Sequence, residues 1–505
     1  MPSASRSLRL IAGLLLSALL VAACCIDASS PAAAFGRGGF GGGFGRMGGG
    51  GTPMMGGDGM RGRTMMGPHR GGGRVVGGHP GGGTHYRGGG TRHTIVGPGF
   101  DGDGGAIVSD GAQRGGGNSR NSRGSGVPAR GERRFVADEI VVEFSPGATA
   151  PAIDQLARRY NLTQLETQSF PLIGSTFSRW RIPRGRSVPD LVGVVEDDRI
   201  VASAQPNYLY ILQEDAAKSP AAAHGEAAQY VLGKLQVEQA HQVATGKNIL
   251  VAVIDSRIDA QHPDLDGSIA QTVDELGGED NPPEHGTAIA GAIAAHGKLL
   301  GIAPGVRLFA VRAFDDAPGK SRGTSFAIYK SLQSAADAGA RVVNMSFVGP
   351  PDPDLHRLLA AAYAKDMVLI AAAGNAGPDS APLYPAADPD VIAVTASDSR
   401  DALFKMANRG AYIAVASPGV EILALAPGHA YQIATGTSVA AAHVSGIVAL
   451  LLELKPSLKP KDIRTILMAT AKPHADFGAG LVNAYRAVIG INGRPAGKDD
   501  AQAKQ

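Results

Sequence analysis

Cysteine is nearly absent from this chain: among 505 residues only Cys24 and Cys25 carry a thiol, and they are adjacent. Adjacent thiols cannot close a useful loop. Neither a disulfide framework nor a Cys-based zinc site is therefore available, and packing must hold the fold. Lysine is missing from the whole stretch between Gly36 and Arg130, where 12 Arg and 4 Asp leave a net charge of +8. The full chain carries only +3, so the remainder sums to −5. The basic character belongs to one segment and not to a folded domain. The apolar run from Leu10 to Ala23 is too short for an ordinary membrane span.

That run follows Arg6 and Arg9 and precedes small residues, the form of a secretory signal covering residues 1–34. Two processing routes fit. Val21-Ala22-Ala23-Cys24 resembles a bacterial lipobox, which would place a lipid anchor on Cys24; Ala32-Ala33-Ala34 offers a cut just before Phe35. Either route exports the chain to the periplasm or beyond; a retained membrane helix is the weaker reading. Residues 35–130 hold 38 of the 71 glycines. Glycine loses the most backbone freedom on folding and buries no side chain, so disorder is expected there. The scattered Arg and His could touch polyanions such as envelope lipids or nucleic acid, but unclustered charges read more simply as a flexible spacer.

The texture changes at Arg134. FVADEIVVEF alternates like a strand, and AIDQLARRYNL has Ile153, Leu156 and Tyr160 on one helical face. FSRWRIP reads as a strand, and SVPDLVGVVEDD as a helix opened by Ser187 and Pro189. IVASAQPNYLYIL closes the unit as a strand, with room for one more near Gln164 to Gln168. The pattern predicts a small ferredoxin-like α+β domain over residues 134–213.

Residues 229–490 carry short runs apolar on both faces: ILVAVID, RLFAVRAF, RVVNMSF, VLIAAAG, VIAVTA and YIAVAS. Helical stretches lie between many of them, including HGTAIAGAIAAH and SVAAAHVSGIVALLLELK. This alternation predicts a three-layer α/β/α sandwich with a mainly parallel sheet; residues 491–505 read as a disordered tail. Sites in such sheets collect at the carboxyl ends of strands. There stand Asp255, Ser346 and Asn375, with His285 and Ser438 at the starts of two helices. Serine becomes a nucleophile when a histidine takes its proton, and the histidine needs a buried carboxylate to fix its tautomer. A side-chain amide and a helix-start N–H supply oxyanion donors.

VAVIDSRID, HGTAIAGAIAA, AAAGN and GTSVAAAHVSG together resemble the signatures of the subtilase family, in the order Asp, His, Asn, Ser. FGAGLVNAYRAV is similar to the family's closing turn and helix. The resemblance implies a seven-stranded, mostly parallel sandwich and a monomeric serine endopeptidase acting on protein or peptide substrates. It implies a triad of Asp255, His285 and Ser438, with Asn375 in the oxyanion hole, and no required cofactor. EIVVEF through AQPNYLY resembles the propeptide-like domains that precede many subtilases, implying a self-processing zymogen with its own domain as intramolecular inhibitor. The cut would fall between Leu212 and Tyr230. A permanently attached domain is the alternative there, and a catalytically inactive, peptide-binding or envelope-associated protein is the alternative for the whole chain.

The pattern departs in places. Ser256-Arg257 replace Thr-Gly, Glu284 replaces Gly, Ala288 replaces a common His, and Val439 and Ala442 replace Met and Pro. Arg257 and Glu284 would pair with each other or face water. By resemblance, substrate pairs as an added strand with Ser346-Phe347-Val348 and with Ser321-Arg322-Gly323, beside Gly374. Val348 and Leu383 would narrow the pocket for the residue before the cut, favouring small or medium apolar side chains, and Arg322 would favour an acid further upstream. Asp264 matches a position that often serves a structural calcium ion. The loop from His296 to Leu300 is short for the remaining ligands, however, which favours a capping or turn-forming Asp264. His443 reads as a hydrogen-bonded core residue. His296, and the group Met54, Met55, Met65 and Met66, show no ligand spacing.

Overall fold

The structure, a computed structural model, describes residues 125–212, 229–277, 284–315 and 321–491. The expected signal, nearly all of the glycine-rich segment, the expected processing loop and the charged tail lie outside the described residues.

The small domain runs β1 (Phe135–Phe144), α1 (Ala150–Tyr160), β2 (Thr163–Phe170), β3 (Ser175–Arg181), α2 (Val188–Glu196) and β4 (Val201–Leu212). Its strands lie antiparallel in the order β4-β1-β3-β2, the ferredoxin-like arrangement. Pro in the first turn starts both helices, and Ser187 Oγ accepts from the Asp190 N–H at 3.5 Å. Contacts begin earlier than the change of texture at Arg134: the Ser125 hydroxyl and the Gly126 N–H both donate to Glu196. One face of the sheet, with Ile140, Val142 and Trp180, packs on Leu156, Leu191 and Val195 of the helices. The alternation in β1 does not mark a wet face. Glu139 and Glu143 are buried, because the second face of this central strand lies against the large domain.

The large domain opens with short helices α3 (Tyr230–Leu235) and α4 (Val237–His241). Its main sheet contains β5 (Leu250–Asp255), β6 (Ile269–Asp274), β7 (Arg307–Arg312), β9 (Val342–Met345), β11 (Val368–Ala372), β12 (Val391–Ser397) and β13 (Ile413–Pro418). The seven strands are parallel throughout, in the order β13-β12-β11-β9-β5-β7-β6. Alternate residues of one strand feed two cores. Val251 and Val253 pack with α5 (Glu284–Ala294), α8 (Thr437–Leu454) and α10 (Ala484–Gly490). Ala252 and Ile254 pack with α6 (Ser325–Asp337) and α7 (Pro353–Ala364). The helix α9 (Pro460–Thr470) completes the first layer. Although α8 is long and apolar enough to cross a membrane, it is buried nearly all round as the central core helix.

β8 (Arg322–Thr324) and β10 (Phe347–Val348) fall on the two segments expected to pair with substrate, whereas β14 (Ile422–Ala426) and β15 (Ala430–Ala434), like β6, escaped the sequence reading. The first two are only three and two residues long, too short for any periodicity to show. Their partner explains them. β4 extends beyond the small domain and pairs antiparallel with both.

Candidate active site

Asp255 is the last residue of β5, fully buried, and His285 stands in the first turn of α5, also buried. His285 Nδ1 lies 2.7 Å from Asp255 Oδ1, and the same oxygen accepts the Ser256 N–H at 2.7 Å. A helix N-terminus disfavours an imidazolium, so the adjacent carboxylate supplies the opposing charge. The helix is held at this corner by Gly286, whose N–H donates to Ser256 Oγ at 2.9 Å. A Cβ on Gly286 would lie 2.5 Å from the Ser256 carbonyl oxygen and 2.6 Å from that of Arg257. Only glycine lets the histidine's helix come this close to the aspartate's loop.

Ser438 is the second residue of α8 and is buried. Its carbonyl accepts from Ser346 Oγ at 3.0 Å, and Ser346 Oγ accepts from Asn344 Nδ2 at 2.9 Å. Asn344 Oδ1 in turn accepts from Ser445 Oγ at 2.9 Å. This buried chain ties the start of α8 to β9. Asn375 follows β11, and its Oδ1 accepts both the Thr437 N–H (3.0 Å) and the Thr437 hydroxyl (2.8 Å). With the carbonyl end so held, the amide's other end is the donor. Asn344, Thr437 and Ser445 were not singled out from sequence; a lone Asn inside the apolar run RVVNMSF was the available signal. Because β11, β9 and β5 are neighbours and α5 packs on α8, the residues chosen at these element ends share one rim of the sheet.

The residues expected to bind substrate line a slot that β4 occupies. Leu212 and Ile211 pair with Phe347 and Val348; Ile211, Tyr210 and Leu209 pair with Arg322, Gly323 and Thr324. The Leu212 N–H also donates to the Ser321 carbonyl at 3.1 Å. Leu383 lies against Gly374, where a Cβ would sit 3.1 Å from Leu383 Cδ1 and where φ is +111°. Next to Leu383, Tyr384 exchanges backbone hydrogen bonds with Gly349.

Asp264 is turn-forming. Its carboxylate accepts the Lys298 and Leu299 N–H groups at 3.0 and 2.8 Å and the Tyr431 hydroxyl at 3.3 Å. A carboxylate surrounded by N–H and O–H donors does not fit a cation ligand, and the loop is short because its own amides fill that place. Gly297 packs on it so closely that a Cβ would fall 2.2 Å from Asp264 Oδ1. Arg257 reaches Asp274 at 3.6 Å, beside Arg312 at 2.8 Å. His443 is buried, hydrogen-bonded to the Pro418 carbonyl at 2.9 Å, and burial pushes its pKa down to about 4.

Comparison with known proteins agrees with this architecture. The model of the subtilase family matches residues 246–487, and that of the fervidolysin N-terminal prodomain matches residues 122–207. A thermophilic serine proteinase from Bacillus sp. (strain AK1) is 31% identical over 367 residues, covering 70% of this chain and 88% of that protein. Thermitase from Thermoactinomyces vulgaris is 34% identical over 272 residues, covering 52% of this chain and 95% of its own length. Among solved structures, fervidolysin from Fervidobacterium pennivorans, a keratinolytic enzyme related to subtilisin, aligns with a TM-score of 0.61 at 25% identity. That alignment covers 72% of this chain and 62% of the fervidolysin chain. On its sequence, its parallel sandwich and its preceding prodomain, the chain belongs to the subtilase family of subtilisin-like serine endopeptidases.

Proposed function

We propose that the chain is an exported zymogen in which Ser438 attacks the scissile carbonyl, His285 carries the proton and Asp255 orients the histidine. The observation that carries the reading is β4: an extended segment of the chain's own already fills the slot between β8 and β10 by backbone pairing. That is how a protease holds a peptide, by strand addition.

In this reading His285 Nδ1 donates to Asp255, which leaves Nε2 in the tautomer that accepts the Ser438 proton. The imidazolium formed is stabilised by the buried carboxylate. The oxyanion is met by the Asn375 amide and by the Ser438 N–H at the start of α8, donors fixed before the reaction begins. His285 then returns the proton to the leaving amine, and water repeats the cycle on the acyl-enzyme. β4 blocks the slot until the segment after Leu212 is cut, so the small domain acts as an intramolecular inhibitor. Gly374, Leu383 and Val348 border the pocket for the residue before the cut, favouring small or medium apolar side chains. Secretion through residues 1–34, with a lipid on Cys24 or a cut before Phe35, completes the reading; no cofactor takes part.

Wild type and Ser438→Ala are compared on a gel and with a fluorophosphonate probe. A shortened, labelled wild type beside a full-length, unlabelled variant supports the proposal. Two full-length, unlabelled chains would instead indicate an inactive, peptide-binding subtilase fold. Peptide-library profiling tests the pocket, and a strong preference for Phe, Tyr or Lys before the cut would overturn that part.

A further inference from the structure

The loop that carries Asn375 is gripped from behind by a second, distant asparagine. Asn408 lies between β12 and β13, is fully buried, and follows Ala376 by 32 residues in the chain. The two loops run side by side. The Asn408 N–H donates to the Gly374 carbonyl at 2.9 Å, and the Gly377 N–H donates to the Met406 carbonyl at 2.8 Å. The Asn408 side chain closes on the same segment. Its Oδ1 accepts the Ala376 N–H at 2.9 Å, so Nδ2 is the donor end, 3.3 Å from Ser380 Oγ. A Cβ on Gly374 would fall 2.9 Å from that Nδ2, so the glycine lets the amide lie flat against the loop.

A further grip runs through Tyr412, whose hydroxyl donates to the Ala373 carbonyl at 3.3 Å. Burial raises this phenol above its ordinary pKa, against the pull of a hydrogen bond from Asn408, and it stays the donor. Backbone groups of Ala373, Gly374 and Ala376 are thus held by Asn408, directly or through Tyr412. On the other side, Thr437 Oγ1 accepts the Gly374 N–H at 3.1 Å and donates to the Asn375 carbonyl end. Thr437 fixes the end of the amide, and Asn408 fixes the backbone from which the side chain springs. An oxyanion donor needs both, because a hydrogen bond weakens steeply as its distance and angle drift.

We propose that Asn408 is a positioning residue of the oxyanion hole: it sets the backbone on both sides of Asn375, so that the Asn375 amide is aimed before substrate arrives. The inference rests on the peptidase reading above. Asn408 works through the loop it holds, and its effect on turnover passes through Asn375. A residue that only stabilised the fold would lower activity whatever stands at position 375. A residue that aims the Asn375 amide has nothing to aim once that amide is gone. Misaiming the donor costs turnover rather than binding, since the charge it meets develops only in the transition state.

The enzyme and its Asn408→Ala, Asn375→Ala and doubly substituted forms are assayed on one peptide, each once its processing is complete on a gel. We expect Asn408→Ala to lower kcat about tenfold with KM within about twofold of wild type. In the Asn375→Ala background the same change should lower kcat by less than about twofold. An equal fall in both backgrounds, or no fall in the single variant, overturns the inference and leaves the peptidase reading standing. A wild type that cleaves neither the peptide nor casein overturns the peptidase reading instead. Where Asn408→Ala does not fold, Tyr412→Phe carries the same cycle, because it removes one hydroxyl and only the hold on Ala373. It should lower kcat about threefold with Asn375 present and less than about 1.5-fold without it. Equal effects in the two backgrounds, or none in either, overturn the inference.

Discussion

The sheets of the two domains differ in what they bury. The parallel sheet is apolar on both faces, with Val251, Val253, Ile370 and Val394 on one side and Ile254, Val343 and Leu369 on the other. The small domain's inner face instead mixes buried Glu139, Glu143, Gln205 and Asn207 with Val141, Phe170, Phe177 and Tyr210, which join the large domain's core. There Arg357 of α7 bonds Glu143 at 2.7 Å and Asp354 at 2.9 Å, and Gln205 reaches Tyr329 at 2.6 Å. Apolar burial is permanent by default, because separation exposes it to water. The paired charges of the mixed face lose little on separation, since water replaces each partner, whereas its apolar part would be exposed. The difference suits a core that stays and a domain that leaves.

Four experiments test that contrast. The largest effect should come from inside the permanent part: Ser438→Ala should lower peptide hydrolysis by about 10⁴-fold or more while leaving the melting temperature nearly unchanged. Next, Asn375→Ala should lower kcat by about 10²–10³-fold with little change in KM, because its donor acts on charge that develops only in the transition state. Steady-state kinetics on one peptide decides both.

At the interface the expected effects are smaller. Arg357→Met in the Ser438→Ala chain leaves Glu143 and Asp354 without their common cation; the pair is partly exposed, so about 2–3 kcal/mol is expected rather than the full cost of a buried one. Denaturant titration measures it, and an unchanged midpoint would break the comparison. The last effect is a pH dependence. Burial, then the neighbouring Asp352, push the Asp354 carboxyl up to about 7 against the pull of Arg357. A raised pKa favours the protonated, docked form. Its contribution is complete below the ordinary carboxylate range near pH 4 and is lost as pH rises through about 7. Asp354→Asn should therefore flatten the stability profile between pH 4 and 7. Melting curves of the Ser438→Ala chain, with and without the substitution, provide the check.

Much of this was legible in the amino-acid order, for a physical reason. Strands apolar on both faces, a helix apolar all round, and an acid, a histidine, an amide and a serine at element ends are local features, written within about ten residues each. The start of α2 was legible too, at Ser187 with Pro189, and so was the turn-forming role of Asp264. What escaped was non-local. Strands β8 and β10 were marked only by the family resemblance, since five residues have no period to detect, and nothing local showed that β4 lies between them. The alternation of β1 marked a strand but not that the large domain covers its polar face, with Glu139 and Glu143 buried. Asn344 and Ser445 are a hundred residues apart, and nothing in either neighbourhood announces the hydrogen bond that braces the start of α8. The sequence by itself determined the family, the layers and the candidate reacting residues, because periodicity and short motifs record them. Only the tertiary structure decided what Tyr210 touches, which backbone groups Asn408 holds and which charges meet across the small domain. Those depend on distances between segments that sequence spacing does not encode.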